Sequence, residues 1–445
     1  MFSYMASSDV LSTGPPRAGA LVVAGGVGHQ AEAPVAAATT ASPRAAERQL
    51  VRLLGPAFVA AIAYVDPGNV AANLSAGAGY GYLLVWVLVL ANAMAVIVQY
   101  LSAKLGVVTG QTLPELLGAR LPRAGRLSYW AQAEITAAAT DVAEVVGGAL
   151  ALQLLFGCPL LVGGALVGLV SMALLEVQSR GGHRRFELVV VALLAVIVVG
   201  FGGGLLLAPV HWGGVTAGLV PRLDGAPTLL LAASMMGATV MPHAVHLHSA
   251  LARDRHRPDG DERRTRRLLR ATRWDVTGAL AVAGAVNIAM LLLAAGALRG
   301  VAGTDTIEGA ARAIAAHLGP GAAAIFAVGL LASGLASTAV GSCSGAAIMD
   351  GLLHVRVPIL LRRLVTLVPA LLLLGFGADP TRALVVSQVV LSAAIPFVLV
   401  PLTRYTGRRE LMGPFTNGPA LQCAAAAVAV AAVVLNAGLL VIEVR

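Results

Sequence analysis

Long apolar segments, separated by short polar turns, follow one another along almost the whole sequence after residue 53. Each is close to, or longer than, the roughly 20 residues that cross a bilayer as a helix. Segments 1 to 11 lie at about 53–80, 83–105, 128–156, 159–177, 186–208, 228–250, 275–298, 323–350, 358–377, 382–403 and 420–441. Because lipid cannot hydrogen-bond exposed backbone groups, the segments must be helical. The pattern predicts an all-α polytopic membrane protein with eleven transmembrane helices.

Composition agrees with this prediction and excludes other classes of protein. The 445 residues are 58% hydrophobic and only 12% charged, whereas about 25% of the residues of a soluble domain are charged. The low aromatic content of 4% argues against a transmembrane β-barrel, which needs aromatic girdles. The three cysteines form no Cys-x-x-Cys pair, so neither a disulfide framework nor a zinc finger is indicated.

Basic residues predict the orientation of the chain in the membrane. With the N-terminus inside, 26 of the 31 Lys and Arg residues fall on the cytoplasmic side, and the C-terminus lies outside. We expect residues 1–48, which lack periodicity, to be a disordered cytoplasmic tail, and residues 49–445 to form one transmembrane domain. The stretch 253–273 holds nine Arg, which we interpret as a topology signal with some affinity for anionic lipid rather than for nucleic acid. These features predict a multi-pass monomer of the inner (plasma) membrane.

Two of the segments carry a proline-containing motif near their middle. Segment 1 contains Asp-Pro-Gly-Asn at 66–69, and segment 6 contains Met-Pro-His at 241–243. Proline removes a backbone donor and clashes with the preceding turn, so both helices should unwind there. Pro67 and Pro242 are 175 residues apart, which is also the distance between the starts of the two segments. Segments 1–5 and 6–10 are thus predicted to form an inverted repeat with substrate held between the broken helices.

The side chains at the breaks favour a metal ion as that substrate. A carboxylate such as Asp66 costs about 2.5–3.5 kcal/mol near the bilayer centre, and a cation would compensate for it. Asn69 offers an amide oxygen, the unwound turn frees the carbonyl of Ala238, and Met241 offers a thioether. Mixed hard and soft ligands favour Mn²⁺ or Fe²⁺, with Cd²⁺, Co²⁺ and Zn²⁺ as further candidates. Taken alone, without the Asp-Pro-Gly-Asn motif, Met241 would favour the interpretation as a flexible packing residue.

A second line of polar residues runs through segment 3. Glu134, Asp141 and Glu144 share one helical face, where they would form either a proton relay or a structural network of ion pairs. Arg362 and Arg363 of segment 9 are the candidate partners. His243 is a further candidate for proton transfer, because imidazole changes its charge near neutral pH.

Other motifs that would indicate an enzyme are missing from the sequence. There is no His-Glu-x-x-His motif and no phosphate-binding Gly-x-x-x-x-Gly-Lys-Ser/Thr loop, so we expect neither catalysis nor a bound cofactor. His243 and His246 share a helical face, but His248 does not, which disfavours a zinc cluster. The amides Asn287 and Gln388 remain open as ligands, gates or interhelical hydrogen-bond partners.

Together, these motifs resemble the Nramp family, which includes bacterial manganese transporters. The matching runs are Ala-Tyr-Val-Asp-Pro-Gly-Asn at 63–69, Met-Pro-His at 241–243, Ala-Thr-Asp-Val-Ala-Glu at 139–144, Gln-Val-Val-Leu-Ser at 388–392 and Thr-Gly-Arg-Arg-Glu-Leu-Met-Gly at 406–413. The resemblance implies a LeuT-like fold and proton-coupled uptake of Mn²⁺ or Fe²⁺ by symport. It implies metal binding by Asp66, Asn69, Ala238, Met241 and, in an occluded state, Gln388. It implies proton movement by Asp66, His243, Glu134, Asp141, Glu144, Arg362 and Arg363.

Two alternative functions remain open from the sequence. A transporter of the same architecture could carry an organic cation or an amino acid, with Asp66 pairing with an ammonium group. A passive channel or a metal sensor is the other alternative, although a sensor would usually carry a soluble output domain and none is indicated here.

Overall fold

The computed structural model describes residues 56–181, 183–256, 260–304, 306–355 and 357–443, and the predicted tail 1–48 lies outside them. The described residues are helical and include no β-strand. The α-helices are α1 (Pro56–Ile62), α2 (Pro67–Tyr80), α3 (Val85–Thr109), α4 (Leu113–Arg120), α5 (Arg123–Phe156), α6 (Leu160–Gly181), α7 (His183–Leu207), α8 (Trp212–Ala217), α9 (Gly225–Thr239), α10 (Pro242–Arg255), α11 (Glu262–Ala297), α12 (Ile307–Leu318), α13 (Pro320–Leu353), α14 (Ile359–Gly375), α15 (Pro380–Thr406), α16 (Arg409–Met412) and α17 (Pro419–Glu443).

Every predicted apolar segment coincides with a helix or a broken pair of helices. Among the described residues, seven stretches are long and apolar enough to cross a membrane, with α9 and α10 taken together as one of them. Segments 4 and 5 contain shorter apolar stretches, Leu160–Glu176 and Val191–Leu206. Segment 1 is split between α1 and α2, and segment 9 forms the 17-residue helix α14. The predicted all-α membrane architecture is confirmed.

The sequence pattern did not predict all of the helices. The short helices α4, α8 and α12 lie between the long ones, and α4 begins with a capping box in which Thr112 and Glu115 bond each other's backbone amides. Helix α11 starts at Glu262, 13 residues before the predicted start of segment 7. Its first turns therefore extend beyond the apolar part of the segment.

Both predicted helix breaks are present at matching places in the fold. After α1 the chain forms one 3₁₀ turn, Ala63–Val65, and then Asp66 is extended with φ −82° and ψ 169°. After α9, Met241 is extended with φ −70° and ψ 116°. In each case proline is the first residue of the next helix, where its missing N–H leaves no bond unmade. The two breaks bring unwound backbone into the buried centre of the molecule.

Candidate metal centre

The first break is organised by Asp66, which caps helix α2. Its Oδ1 accepts hydrogen bonds from the backbone N of Asn69 at 2.7 Å and from Asn69 Nδ2 at 2.9 Å. An aspartate in this position satisfies amides that the helix itself leaves unpaired. Both side chains are fully buried. The fold therefore holds a carboxylate in a fixed orientation at the open end of a half-helix.

The second break meets the first through one hydrogen bond. Asn69 Nδ2 also donates to the carbonyl oxygen of Ala238 at 2.9 Å, so one amide group bridges the two breaks. Ala238 lies in the last turn of α9, and Met241 follows three residues later with a fully buried side chain. The carbonyl and the thioether predicted from the sequence thus belong to the same unwound turn.

A third element reaches the breaks from helix α15. Gln388 Nε2 donates to Asp66 Oδ2 at 3.2 Å, and the Gln388 side chain is fully buried. The approach depends on two glycines: a Cβ on Gly68 would overlap the Gln388 amide, and a Cβ on Gly237 would overlap the Gln388 backbone oxygen. Small residues allow such close contact between helices in membranes.

The unused atoms of this cluster are suited to a divalent cation. Asn69 Oδ1 and Gln388 Oε1 are buried and accept no hydrogen bond from the described residues, and each belongs to an amide group that contacts the carboxylate of Asp66. Buried oxygens without a protein partner are costly, and a bound water or cation satisfies them. Among the described residues no group of three His, Cys, Asp or Glu could hold a metal. The candidate ligands are instead one carboxylate, two amides, a carbonyl and a thioether.

The acids of segment 3 lie on α5, and two of the three are paired. Arg362 donates to both oxygens of Glu134, at 2.6 and 2.9 Å, and Arg363 donates to Asp141 at 2.6 Å. Both arginines come from α14, as the sequence suggested. Glu144 is fully buried, and neither of its carboxylate oxygens has a hydrogen-bond partner among the described residues. The polar face therefore combines two ion pairs with one unpaired acid.

The three histidines of α10 each have a different hydrogen-bonding partner. His243 Nδ1 lies 3.4 Å from Oγ1 of Thr140, the residue before Asp141, and His243 Nε2 has no hydrogen-bond partner among the described residues. His246 shares a 3.2 Å hydrogen bond with the Tyr129 hydroxyl. His248 pairs at 2.7 Å with the side-chain oxygen of Gln99. His243 thus connects the second break with the acidic face of α5.

The sequence did not predict one polar connection, which joins Asn287 to both sides of the first break. Asn287 of α11 donates to the carbonyl of Tyr64 at 2.7 Å, and its own Oδ1 accepts from Asn73 Nδ2 at 3.0 Å. Tyr64 precedes the first break and Asn73 follows it, so Asn287 spans the break. The available signal was Asn73 itself, a buried amide one turn after Asn69. Of the roles left open for Asn287, the structure shows the interhelical hydrogen bond.

Known proteins share this sequence and this arrangement of helices. The family model for natural resistance-associated macrophage protein-like (Nramp) proteins matches residues 57–442. The chain belongs to the Nramp family. This Nramp chain is 58% identical over 393 residues to the divalent metal cation transporter MntH of Mycobacterium tuberculosis (strain ATCC 25618 / H37Rv), covering 88% of this chain and 92% of that protein.

Solved structures support the same assignment of the fold. The manganese transporter of Eremococcus coleocola, in complex with an aromatic bis-isothiourea substituted compound, is 30% identical and has a TM-score of 0.79, covering 88% of this chain and 86% of that chain. MhsT in complex with L-phenylalanine is only 14% identical, with a TM-score of 0.59 over 87% of this chain and 97% of that chain, and shows similarity of fold alone. The predicted LeuT-like inverted repeat, with broken helices 1 and 6, is confirmed.

Proposed function

We propose that this Nramp chain is a proton-coupled secondary transporter that imports divalent transition metal ions. Mn²⁺ and Fe²⁺ are the proposed cargo, with Cd²⁺, Co²⁺ and Zn²⁺ as further ions. The observation that carries the proposal is the meeting of Asp66, Asn69 and Gln388 in one buried cluster between two broken helices. The names of the similar proteins, a divalent metal cation transporter and a manganese transporter, support it.

Metal binding would use groups that now bond one another. Asn69 and Gln388 point amide N–H groups at the carboxylate of Asp66, while their own oxygens have no partner. A cation at Asp66 would favour rotation of both amides, because their oxygens and not their N–H groups attract positive charge. The Ala238 carbonyl and the Met241 sulfur would complete the set, and the soft sulfur would favour transition metals over Ca²⁺ and Mg²⁺.

Proton movement would begin at Asp66 and follow the polar face of α5. His243 lies at the second break and contacts Thr140, which brings an imidazole to the start of the acidic row. Among the described residues, Glu144 is the one acid of that row without an ion pair, so we assign it the exchangeable proton. The pairs Glu134–Arg362 and Asp141–Arg363 would accept the proton further along or balance its charge.

Transport would proceed by alternating access around this fixed site. Asp66, Asn69, Met241 and Gln388 are all fully buried, so the site is closed to solvent in this structure. Rocking of one half of the inverted repeat against the other would open it to each side in turn. The distribution of basic residues supports a plasma-membrane protein with a cytoplasmic N-terminus and an external C-terminus. We propose that the monomer is the transporting unit, because the cluster is built within one chain.

The test is Mn²⁺ uptake into proteoliposomes, with and without an acidic exterior, by the wild type and by Asp66→Ala. We expect saturable uptake that accelerates with the proton gradient and is lost in the variant. Saturable uptake that ignores pH would confine the α5 acids to a structural role. Folded protein that moves no Mn²⁺ but does move an organic cation or an amino acid would overturn the metal assignment.

A further inference from the structure

The exposed face of helix α11 changes its chemistry abruptly along its length. Near the start of the helix, the exposed positions beyond Glu262 are mostly arginines, and Trp274 follows with 67% of its surface exposed. Further along, the same face carries only uncharged residues. The exposed arginines are Arg263, Arg264, Arg266, Arg267, Arg270 and Arg273. The exposed residues after Trp274 are Thr277, Gly278, Ala281, Val282 and Ala285.

This change marks where the helix enters the bilayer. Tryptophan is enriched at the level of the lipid headgroups, and the uncharged residues beyond Trp274 suit the hydrocarbon core. With a rise of 1.5 Å per residue, Arg273, Arg270 and Arg267 lie about 1.5, 6 and 10 Å from the level of Trp274. A headgroup layer is about 5–8 Å thick. Arg273 and Arg270 therefore lie within the headgroup layer, and the long, flexible side chain of Arg267 reaches it from just outside.

Within the part of the chain that the structure describes, the same three arginines have no acidic partner to neutralise them. Arg266 lies near Glu262 and over the ring of Phe415, whereas Arg267, Arg270 and Arg273 form no ion pair among the described residues. The opposite face of the helix is buried, through residues such as Leu268 and Leu269. The helix thus presents three uncompensated guanidinium groups outward, within about 10 Å of the level of Trp274.

Helix α11 also holds the first half of segment 1 at two points. Asp275, next to Trp274, accepts a hydrogen bond from the backbone N of Ala57 at 3.1 Å, at the start of α1. Three turns further along, Asn287 binds the carbonyl of Tyr64 at 2.7 Å, at the end of the same half. A shift of α11 relative to the membrane would therefore be transmitted to the chain leading into Asp66.

We infer that the surface formed by Arg267, Arg270 and Arg273 binds the phosphate groups of anionic phospholipids in the cytoplasmic leaflet. Lipid bound there holds α11, and through Asp275 and Asn287 it holds α1 in place for transport. The leaflet and the effect on transport rest on the proposed orientation and function, whereas the lipid contact itself rests on the charge and depth of the helix. Basic residues close to an anionic membrane surface each strengthen such binding.

The experiment compares lipid retention and transport for the full chain in the wild type and three variants. Native mass spectrometry measures retention of phosphatidylglycerol against phosphatidylcholine, and proteoliposomes with increasing phosphatidylglycerol report Mn²⁺ uptake. The test variant is R267Q/R270Q/R273Q, and R267K/R270K/R273K keeps its charge. The control R222Q/R299Q/R312Q removes three exposed arginines that lie elsewhere on the chain and are assigned to the opposite side of the membrane.

We expect the wild type to retain phosphatidylglycerol preferentially and the Gln variant to lose affinity by about fivefold per arginine. The Lys variant and the control should behave as the wild type. Only in the Gln variant should Mn²⁺ uptake no longer depend on the phosphatidylglycerol content of the proteoliposomes. Equal retention by the wild type and the Gln variant, or an equal loss in the control, would overturn the inference. If retention differs as expected but the wild type moves no Mn²⁺ in any lipid, the lipid surface stands and the proposed function fails.

Discussion

The two helix breaks occupy matching positions in the repeat, but different groups stabilise them. At the first break, the side chain of Asp66 caps α2, and Ser333 Oγ donates to the carbonyl of Val65 at 2.5 Å. At the second break, Met241 makes no side-chain cap, and Ser344 Oγ donates to the carbonyl of His243 at 2.6 Å. Both serines come from α13, which therefore supports both breaks.

The two halves of the repeat therefore share the same backbone geometry at the breaks but carry different candidate ligands. The repeat supplies the same unwound backbone twice, with proline beginning the second half-helix each time. The first break adds the charge and hard amide oxygen, through Asp66 and Asn69. The second adds a carbonyl and a soft sulfur, through Ala238 and Met241. Changes at the first break should therefore remove metal binding, while changes at the second should alter the choice of metal.

The largest expected effect of these predictions concerns the contact of α15 with the first break. In Gly68→Ala the new Cβ would overlap the Gln388 amide, which would have to leave Asp66. We expect Mn²⁺ uptake to fall at least tenfold, because overpacking of roughly 1–3 kcal/mol falls on a candidate ligand. Uptake into proteoliposomes is the measurement.

Gly79→Ala is the matched control on the same helix, since a Cβ there meets no atom within 4 Å. It should transport at the wild-type rate. Equal losses in the two variants would mean that α2 needs glycine for its backbone and not for the approach of Gln388.

The next effect concerns the amide that spans the first break. Asn287→Leu would leave the Tyr64 carbonyl and the Asn73 amide group without their partner. Each unsatisfied buried group costs about 1–3 kcal/mol, so we expect a destabilisation of roughly 2–4 kcal/mol together with slower uptake. The midpoint of thermal unfolding in detergent measures the first and proteoliposome uptake the second.

Asn436→Leu provides the comparison for that variant. Asn436 makes one interhelical hydrogen bond, to the Ser392 carbonyl at 3.0 Å, and does not contact either break. Its loss should cost less than that of Asn287. A larger loss of stability in Asn436→Leu than in Asn287→Leu would show that spanning the break does not make the hydrogen bonds of Asn287 more stabilising.

A smaller effect, on selectivity, is expected at the second break. Met241→Ala removes the thioether but leaves the oxygen ligands, so Ca²⁺ should compete better against Mn²⁺. We expect discrimination between the two ions to fall about tenfold, which corresponds to roughly 1.4 kcal/mol. Inhibition of Mn²⁺ uptake by Ca²⁺ measures it.

The control for Met241 is Met235→Ala, which removes an equally buried methionine from α9. It should lower stability through lost packing while leaving the ratio of Ca²⁺ to Mn²⁺ unchanged. The same change of ratio in both variants would remove the argument that sulfur is a ligand.

Much of this architecture could be predicted because the membrane restricts the possible structures. Long apolar segments have to be helices, and Pro67 and Pro242 have to interrupt them. The pairs of Glu134 and Asp141 with neighbouring arginines were predictable as a set, because charges inside a membrane need partners. Which acid stays unpaired was not, because that depends on how α14 lies against α5.

Features outside the hydrocarbon core could not be predicted in the same way. The start of α11 is rich in arginine, and its low hydropathy predicts a loop. In the structure, however, Leu268, Leu269 and Thr272 form a buried helical face there. The short helices α4 and α8 carry too few residues for a clear period. The link from Asn73 to Asn287 joins residues 214 positions apart, and only the fold brings them together.

The smallest expected effect concerns the two serines of α13, Ser333 and Ser344. Ser333→Ala leaves the carbonyl of Val65, which lies before the first break, without its hydroxyl partner. Ser344→Ala removes the hydroxyl partner of the His243 carbonyl. That carbonyl lies in the first turn of α10, where it can still accept a hydrogen bond from a backbone amide of the helix. We expect Ser333→Ala to cost about 1 kcal/mol and Ser344→Ala about half of that, measured by thermal unfolding. Equal costs would show that helix hydrogen bonds do not protect the second break, and the two halves of the repeat would then differ in their ligands alone.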